Sequence, residues 1–314
     1  MKRRDFLRSS AAATTAALLT GRLSAADASA VPAIDTHIHL YDPTRPAGVP
    51  WPAPKETQLY RPHLPADFKP LAAAAHVVGA VIVEASDWVE DNQWVLDLAR
   101  DETAIVGVVG NLKPGQPAFA ADLKRFAANP LFRGLRLRGS SFPAGLDDPA
   151  TLADLKRVAD AGLSLDVVGG GAVLAPTLQI ARTFPDLRLV MDHLPFTPWD
   201  GKVADLRTAL APLAARRNVY IKISDVVRVR DGQPVTDAAF HRPALDALMD
   251  LFGPDRVLYG SNWPVSNRLA PYATIHRVMA EYFATQPRFV AEKYFWRNSL
   301  AAYRWQRRGA AARL

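Results

Sequence analysis

The chain has 314 residues and no cysteine, which excludes a disulfide framework, a thiolate zinc site, an iron–sulfur cluster and a cysteine nucleophile. Its 38 basic side chains exceed its 31 acidic ones, but residues 1–26 hold five of the former and one of the latter, so the remainder carries only +3 and nucleic acid is not the expected partner. A hydrophobic content of 49% with 22% charged residues argues against disorder, and the length fits one large α/β barrel or two smaller domains.

The first 30 residues read as an export leader. Lys2, Arg3 and Arg4 give a basic start, residues 11–19 a short apolar run, and residues 24–30 a cluster of small side chains where a signal peptidase could cut. The twin arginines followed by Asp5, Phe6 and Leu7 resemble a bacterial Tat signal. The apolar run is too short to span a bilayer. Residues 31–314 are therefore expected to form the mature domain, folded before export and working in the periplasm or beyond, with no membrane attachment once the leader is removed.

From residue 33 onward, short β-rich apolar runs alternate with helix-period patterns. Candidate strands cover 33–39, 77–84, 105–110, 134–138, 163–168, 187–193, 219–224 and 256–260. Helical periodicity lies between them, for example over 94–100, 149–161, 174–183 and 243–252. Eight β–α units in one chain of this size predict a (β/α)8 barrel in a single domain, with a doubly wound open sheet as the alternative. No glycine-rich phosphate fingerprint follows the first strand. Residues 41–65, rich in proline and carrying Trp51 and Tyr60, are too long for an ordinary connection and predict a loop over the site. Phe196 to Trp199 with Gly201 predicts a second such loop. The aromatic tail from Phe289, with Phe295, Trp296, Tyr303 and Trp305, predicts a helix on the outside of the barrel.

Strand alternation places Asp35, His37 and His39 on one face, Arg136 and Arg138 on one face, and Tyr220, Lys222 and Ser224 on one face. With the aliphatic faces turned to the helices, these polar faces look into the barrel. Charges there are costly unless paired and are best tolerated at the C-terminal mouth, where barrel enzymes place their sites. An internal ion pair of Asp35 with Arg138 or Lys222 is the plain structural alternative.

The segment IDTHIHL carries the strongest chemical signal. Histidines at i and i+2 of a strand project to one side, and their ring nitrogens can converge on a divalent metal. His193 ends the sixth strand in LVMDHLP. Asn262 and Trp263 follow the eighth strand in VLYGSNWPVS, beside the first strand in a closed barrel.

Together, IDTHIHLYD, FRGLRLRG, LVMDHLP, NVYIKIS and RVLYGSNWPVS resemble the amidohydrolase superfamily, and more narrowly the amidohydrolase-2 branch that contains sugar-acid lactonases and 2-pyrone-4,6-dicarboxylate lactonase. The resemblance spans roughly residues 34–303. It implies a hydrolase of a small cyclic ester, most simply a sugar-acid lactone. His37, His39 and His193 would act as catalytic groups, either as ligands of zinc or manganese or as carbonyl polarisers without a metal. Arg136, Lys222, Trp263 and Glu84 would contact substrate. Asn262 stands where hydrolytic members usually carry the aspartate that activates water; an amide cannot take up a proton near neutral pH, although it can orient water. Asp225 replaces a frequent glycine and is either a substitute base or a loop cap. Trp51, Trp88 and Trp199 could stack on a substrate ring or simply pack, Glu84 could instead pair with Arg136 or Arg138, and His63, His76, His241 and His276 read as structural. A small molecule is the expected partner, and a homodimer is compatible with the sequence. Two other functions remain open: a non-oxidative decarboxylase on the same fold, and a non-catalytic binder of a sugar acid, which the amide at 262 favours.

Overall fold

The computed structural model describes residues 31–139, 146–193 and 203–314; the predicted leader and the loop around Trp199 lie outside them. Eight parallel strands form one sheet: β1 (Ala33–Ile38), β2 (Val77–Val83), β3 (Ile105–Gly110), β4 (Phe132–Arg138), β5 (Ser164–Val168), β6 (Arg188–Met191), β7 (Val219–Ile223) and, after a small hairpin, β10 (Val257–Tyr259). Neighbours in the sheet follow chain order throughout, as a barrel requires. The strands are buried on both sides, all six residues of β1 and of β3 included, which explains the near-continuous apolar sequence of β2 and β3.

The sheet closes between its first and last strands. The Asn262 N–H donates to the His37 carbonyl at 2.8 Å, and the His39 N–H donates to the Trp263 carbonyl at 2.8 Å. The predicted (β/α)8 barrel is therefore the fold, as one domain.

Helices follow the strands as a surrounding layer: α1 (Pro65–Ala74), α2 (Asp91–Asp101), α3 (Phe119–Ala127), α4 (Pro149–Asp160), α5 (Leu174–Thr183), α6 (Val203–Ala214), α7 (Ala238–Phe252) and α8 (Tyr272–Phe283). Their starts are written locally. Asp148 caps α4 by accepting from the Thr151 N–H at 2.8 Å, with Pro149 in the first turn. Asp237 caps α7 through the Ala239 N–H at 2.9 Å, and Gly253 ends that helix at φ 68°. The hairpin β8 (Arg228–Arg230) and β9 (Gln233–Val235) turns at Asp231-Gly232, both left-handed at φ 51° and 75°. The Asp-Gly pair was its only sequence signal. Among the described residues, no helix is long and apolar enough to cross a membrane.

The tail forms α9 (Arg288–Glu292), a π-helical turn at Lys293–Arg297 and α10 (Asn298–Tyr303). Its aromatics pack on the outer layer, Phe283 stacking on Tyr294 at 4.0 Å. Tyr303 departs from the prediction: its hydroxyl reaches the fully buried Asp166 at 2.7 Å.

Candidate active site

The barrel interior holds a charged layer that strand alternation only partly foretells. Lys222 on β7 is fully buried. Its ammonium meets Asp166 Oδ2 at 2.9 Å, Asp192 Oδ1 at 2.9 Å and His37 Nδ1 at 3.2 Å. An ammonium has three protons and no lone pair. With three acceptors in reach, His37 Nδ1 receives one of those protons, although Asp192 Oδ1 also lies 3.4 Å from that nitrogen. The ring's own proton is then on Nε2, which has no hydrogen-bond partner. Asp192 Oδ2 forms an ion pair with Arg136, whose Nε lies 2.9 Å away. Burial opposes ionisation of Asp192, but Lys222, His37 and Arg136 hold its carboxyl well below the usual range. Burial pushes Asp166 up to about 7 against the pull of Lys222.

Above this layer, at the C-terminal ends of the strands, a cavity of about 180 Å³ is lined by His39, Trp51, Glu84, Arg136, His193 and Asn262, with Ala85, Arg138 and Val265 completing the wall. Three imidazoles gather beneath and beside it. The ring centre of His37 lies 4.9 Å from that of His39 and 4.5 Å from that of His193. Burial and the field of Arg136 push His39 down to about 3. Burial pushes His193 down to about 4, with Asp192 and Asp225 pulling upward and Arg136 and Lys222 downward. Both rings are neutral at pH 7.

Their tautomers follow from their partners. His39 Nδ1 donates to the Val83 carbonyl at 3.0 Å, so its Nε2 carries a lone pair. That nitrogen lies 3.3 Å from the Asn262 side chain, and the pairing requires the amide NH2, not its oxygen, to face the ring. His193 Nδ1 lies 3.0 Å from Ser224 Oγ, and Nε2 faces Arg136 Nη2 at 3.5 Å. The guanidinium can only donate, so His193 Nε2 is also a lone pair. Glu84 takes a two-point contact from Arg138, at 2.8 and 2.6 Å, and lies 3.7 Å from Arg136.

Backbone strain marks the same rim. His193, Asp225 and Asn262 are left-handed at φ 67°, 54° and 61°, a region non-glycine residues seldom enter and that recurs at functional sites.

The sequence-predicted residues sort by height. His39, His193, Asn262, Arg136 and Glu84 line the cavity. His37 and Lys222 lie beneath its floor, so Lys222 touches a histidine and two carboxylates rather than the cavity. Trp263 is 2% exposed and packs edge-on to His63 at 5.2 Å, behind the wall. Asp35 pairs with neither Arg138 nor Lys222. It takes the N–H groups of His37 and Ser261 at 3.1 and 2.9 Å and the Tyr272 hydroxyl at 2.9 Å. The pairing of β1 with β2 shifts register between Asp35 and Ile38, which breaks simple alternation there. Asp225 pairs with Arg228 at 3.3 Å and does not line the cavity. Trp88 is 40% exposed, off the site, whereas Trp51 delivers one cavity wall from the predicted loop. That loop is pinched at its neck by paired backbone bonds between Tyr41 and His63.

A metal held jointly by this chain would fall to His37, His39 and His193. Neutral imidazole suits zinc. Among the described residues, however, no three His, Asp or Glu side chains stand in an arrangement that holds an ion. His37 keeps an unpartnered Nε2, but His39 Nε2 is engaged by Asn262 and His193 Nε2 by Arg136. The residues as arranged do not fit the group.

A parallel-stranded barrel whose C-terminal mouth gathers neutral histidines and buried arginine–carboxylate pairs has the layout of a barrel enzyme. The chain belongs to the amidohydrolase family, whose profile covers residues 34–305. It is 32% identical over 240 residues to an L-fucono-1,5-lactonase of Burkholderia ambifaria, covering 76% of this chain and 81% of that protein. It is 28% identical over 287 residues to an L-fucono-1,5-lactonase of Burkholderia multivorans, covering 85% and 94%. In fold it matches a crystal structure of an amidohydrolase from Burkholderia multivorans with bound zinc, at TM-score 0.77 and 24% identity, over 87% of this chain and 99% of that one.

Proposed function

We propose that this protein hydrolyses the lactone of a sugar acid, in the class of L-fucono-1,5-lactone, to the open hydroxy acid. The observation that carries the reading is the pairing of a donor and a base at one point: Arg136 Nη2 and the lone pair of His193 Nε2, 3.5 Å apart on the cavity wall, in a chain whose relatives are lactonases. In this reading the lactone carbonyl oxygen takes up the guanidinium N–H that faces His193, which frees the lone pair of Nε2. Water attacks the carbonyl carbon while His193 Nε2 takes its proton. The oxyanion of the tetrahedral intermediate is stabilised by Arg136, and collapse breaks the ring C–O bond as the imidazolium returns its proton to the leaving alkoxide. Atoms balance as one water added. Asn262, with its NH2 on His39, turns its oxygen away from that ring, free to accept from a water or a substrate hydroxyl.

A pH-stat screen of aldonolactones tests this. Acid release with the wild type, reduced by ~100-fold or more in His193→Ala, is expected for loss of a general base. No acid release from any lactone, or CO2 release from aromatic acids instead, refutes it.

A second reading places zinc or manganese on His37, His39 and His193; the zinc-bound relative favours it. Such an ion would have to displace Arg136 from His193 and Asn262 from His39. Activity lost to a chelator and restored by stoichiometric metal would establish that reading; full activity in metal-free protein would remove it. We further propose that residues 1–30 direct the folded enzyme to the periplasm, where it acts on a small molecule.

A further inference from the structure

The 41–65 loop delivers Trp51 to the barrel mouth, and the same side chain also borders a second space. This is a recess of about 20 Å³, room for about one water. Leu40, Val49, Ile82, Val95, Val108 and Val109 give it an apolar lining. Polar groups at its edge are paired with one another: Arg45 with Asp91, and the Asn92 side chain with the Asn111 backbone at 2.8 and 2.9 Å. Among the described residues, Trp51, Glu84 and Ala85 line both the recess and the mouth cavity. Glu84 is held by Arg138 and Ala85 contributes a single methyl group, so the indole is the bulk of the shared wall.

A clamp fixes that wall in place. Arg45 donates to both carboxylate oxygens of Asp91, the first residue of α2, at 2.9 and 3.2 Å, and to the Gly48 carbonyl at 3.1 Å. Its guanidinium also lies 4.3 Å over the Trp94 ring. The paired side chains are only 14% and 15% exposed, so salt and solvent screen the pair less than a surface one. Trp51 packs edge-on to Tyr41 at 5.3 Å, and Tyr41 is bonded to His63 at the neck of the loop. The loop is thus anchored at its neck and again at Arg45.

The two sides of the wall differ in chemistry. On the mouth side, His39, Glu84, Arg136, Arg138, His193 and Asn262 offer polar groups. Hydroxyls on a lactone ring find partners there, whereas an alkyl substituent would strip water from those groups and replace none of their bonds. Its apolar counterpart lies behind the indole. Resting on the lactonase reading above, we propose that Trp51 is a specificity-determining residue: held by the Arg45–Asp91 clamp, its indole shuts the apolar recess off from the polar mouth and confines the substrate to compact, hydroxylated lactones. Arg45 is a positioning residue in this scheme, acting through Trp51.

Two lactones of one ring size test the assignment: galactono-1,5-lactone, and δ-nonalactone, whose butyl chain carries no hydroxyl. By kcat/KM, wild type is expected to prefer the first by ~100-fold or more, and Trp51→Ala to move the ratio toward the second by roughly 10-fold or more, the scale set by methylenes entering an apolar pocket. Arg45→Met, outside the mouth, should move the ratio the same way by a smaller factor; a ratio it leaves unmoved removes the clamp from the scheme. Trp51 is partly exposed on a loop, so its replacement keeps the fold, as the unfolding temperature verifies. Wild type that takes both lactones equally, or a ratio unchanged in Trp51→Ala, overturns the proposal. Calorimetric affinities for two lactams that are not turned over, piperidin-2-one and 6-butylpiperidin-2-one, separate this failure from that of the lactonase reading. A Trp51-dependent shift in their ratio without lactone hydrolysis overturns only the reaction; lactone hydrolysis with an unshifted lactam ratio overturns only the role of Trp51.

Discussion

Replacing Lys222 by methionine isolates the layer on which the mouth rests. The thioether keeps the length of the side chain and removes its charge, its hydrogen bonds to Asp166 and His37 and its ion pair with Asp192. Removing one partner of a buried ion pair costs ~3–5 kcal/mol when the other charge is stranded. Here the two carboxylates are stranded unequally. Asp192 keeps the Arg136 Nε at 2.9 Å. Asp166 keeps the Tyr303 hydroxyl at 2.7 Å and, already raised to about 7, can take up a proton. The loss near neutral pH should therefore sit at the lower end, ~3 kcal/mol. It also depends on pH with a definite sign. Without Lys222 the folded-state pKa of Asp166 rises further above its unfolded value, so the variant binds more protons folded than unfolded. Its stability deficit must then grow as pH rises. Urea unfolding of wild type and variant at pH 5.5 and pH 8 measures both quantities. Equal stability of the two proteins at pH 8, or a deficit that shrinks with rising pH, would refute the account of this layer.

Two further outcomes follow from the mouth and one from the leader. Because His193 must be neutral to act as base and is held down to about 4, kcat/KM should be level from neutral pH to about pH 5 and fall tenfold per unit below pH ~4; a midpoint near 6.5 would show an unperturbed imidazole. Asn262→Asp places a carboxylate about 3.3 Å from His39 Nε2, which should raise that histidine's pKa by ~1–3 units and preserve or increase hydrolysis, whereas Asn262→Ala should lower it; indifference to both removes Asn262 from the mechanism. Fractionation of cells expressing the full chain should find mature protein in the periplasm, and an uncut cytoplasmic form would overturn the reading of the leader.

Much of this arrangement could be read before any coordinates. Period-two alternation and the spacing of apolar runs located all eight barrel strands, because strands buried on both faces need long apolar stretches. The histidines of β1 and the residues after β6 and β10 were found because strand ends on a barrel face one place. What escaped was partnership. Asp192 and Asp166 sit in apolar strand contexts, and no periodicity says that Lys222 will bind both. The pairing of Glu84 with Arg136 or Arg138 was one of two open readings, and Arg138 proves to be the two-point partner. His37 was legible as functional but not as lying below the floor, since height within a barrel depends on register and β1 shifts register at that point. Tyr303 was placed outside because its helix is outside; a single hydroxyl reaching inward leaves no periodic trace.

The closure of the cylinder has a consequence for how this enzyme can be altered. The two main-chain bonds that join its first and last strands run through His37, His39, Asn262 and Trp263, but they use peptide groups alone. Side chains at those positions can change without unfastening the joint, while insertions or a proline at 39 or 262 would remove a fastening N–H. The reactive groups are in effect interchangeable fittings on a fixed hinge pin, so new specificities should be reached by exchanging residues at the seam and not by lengthening it.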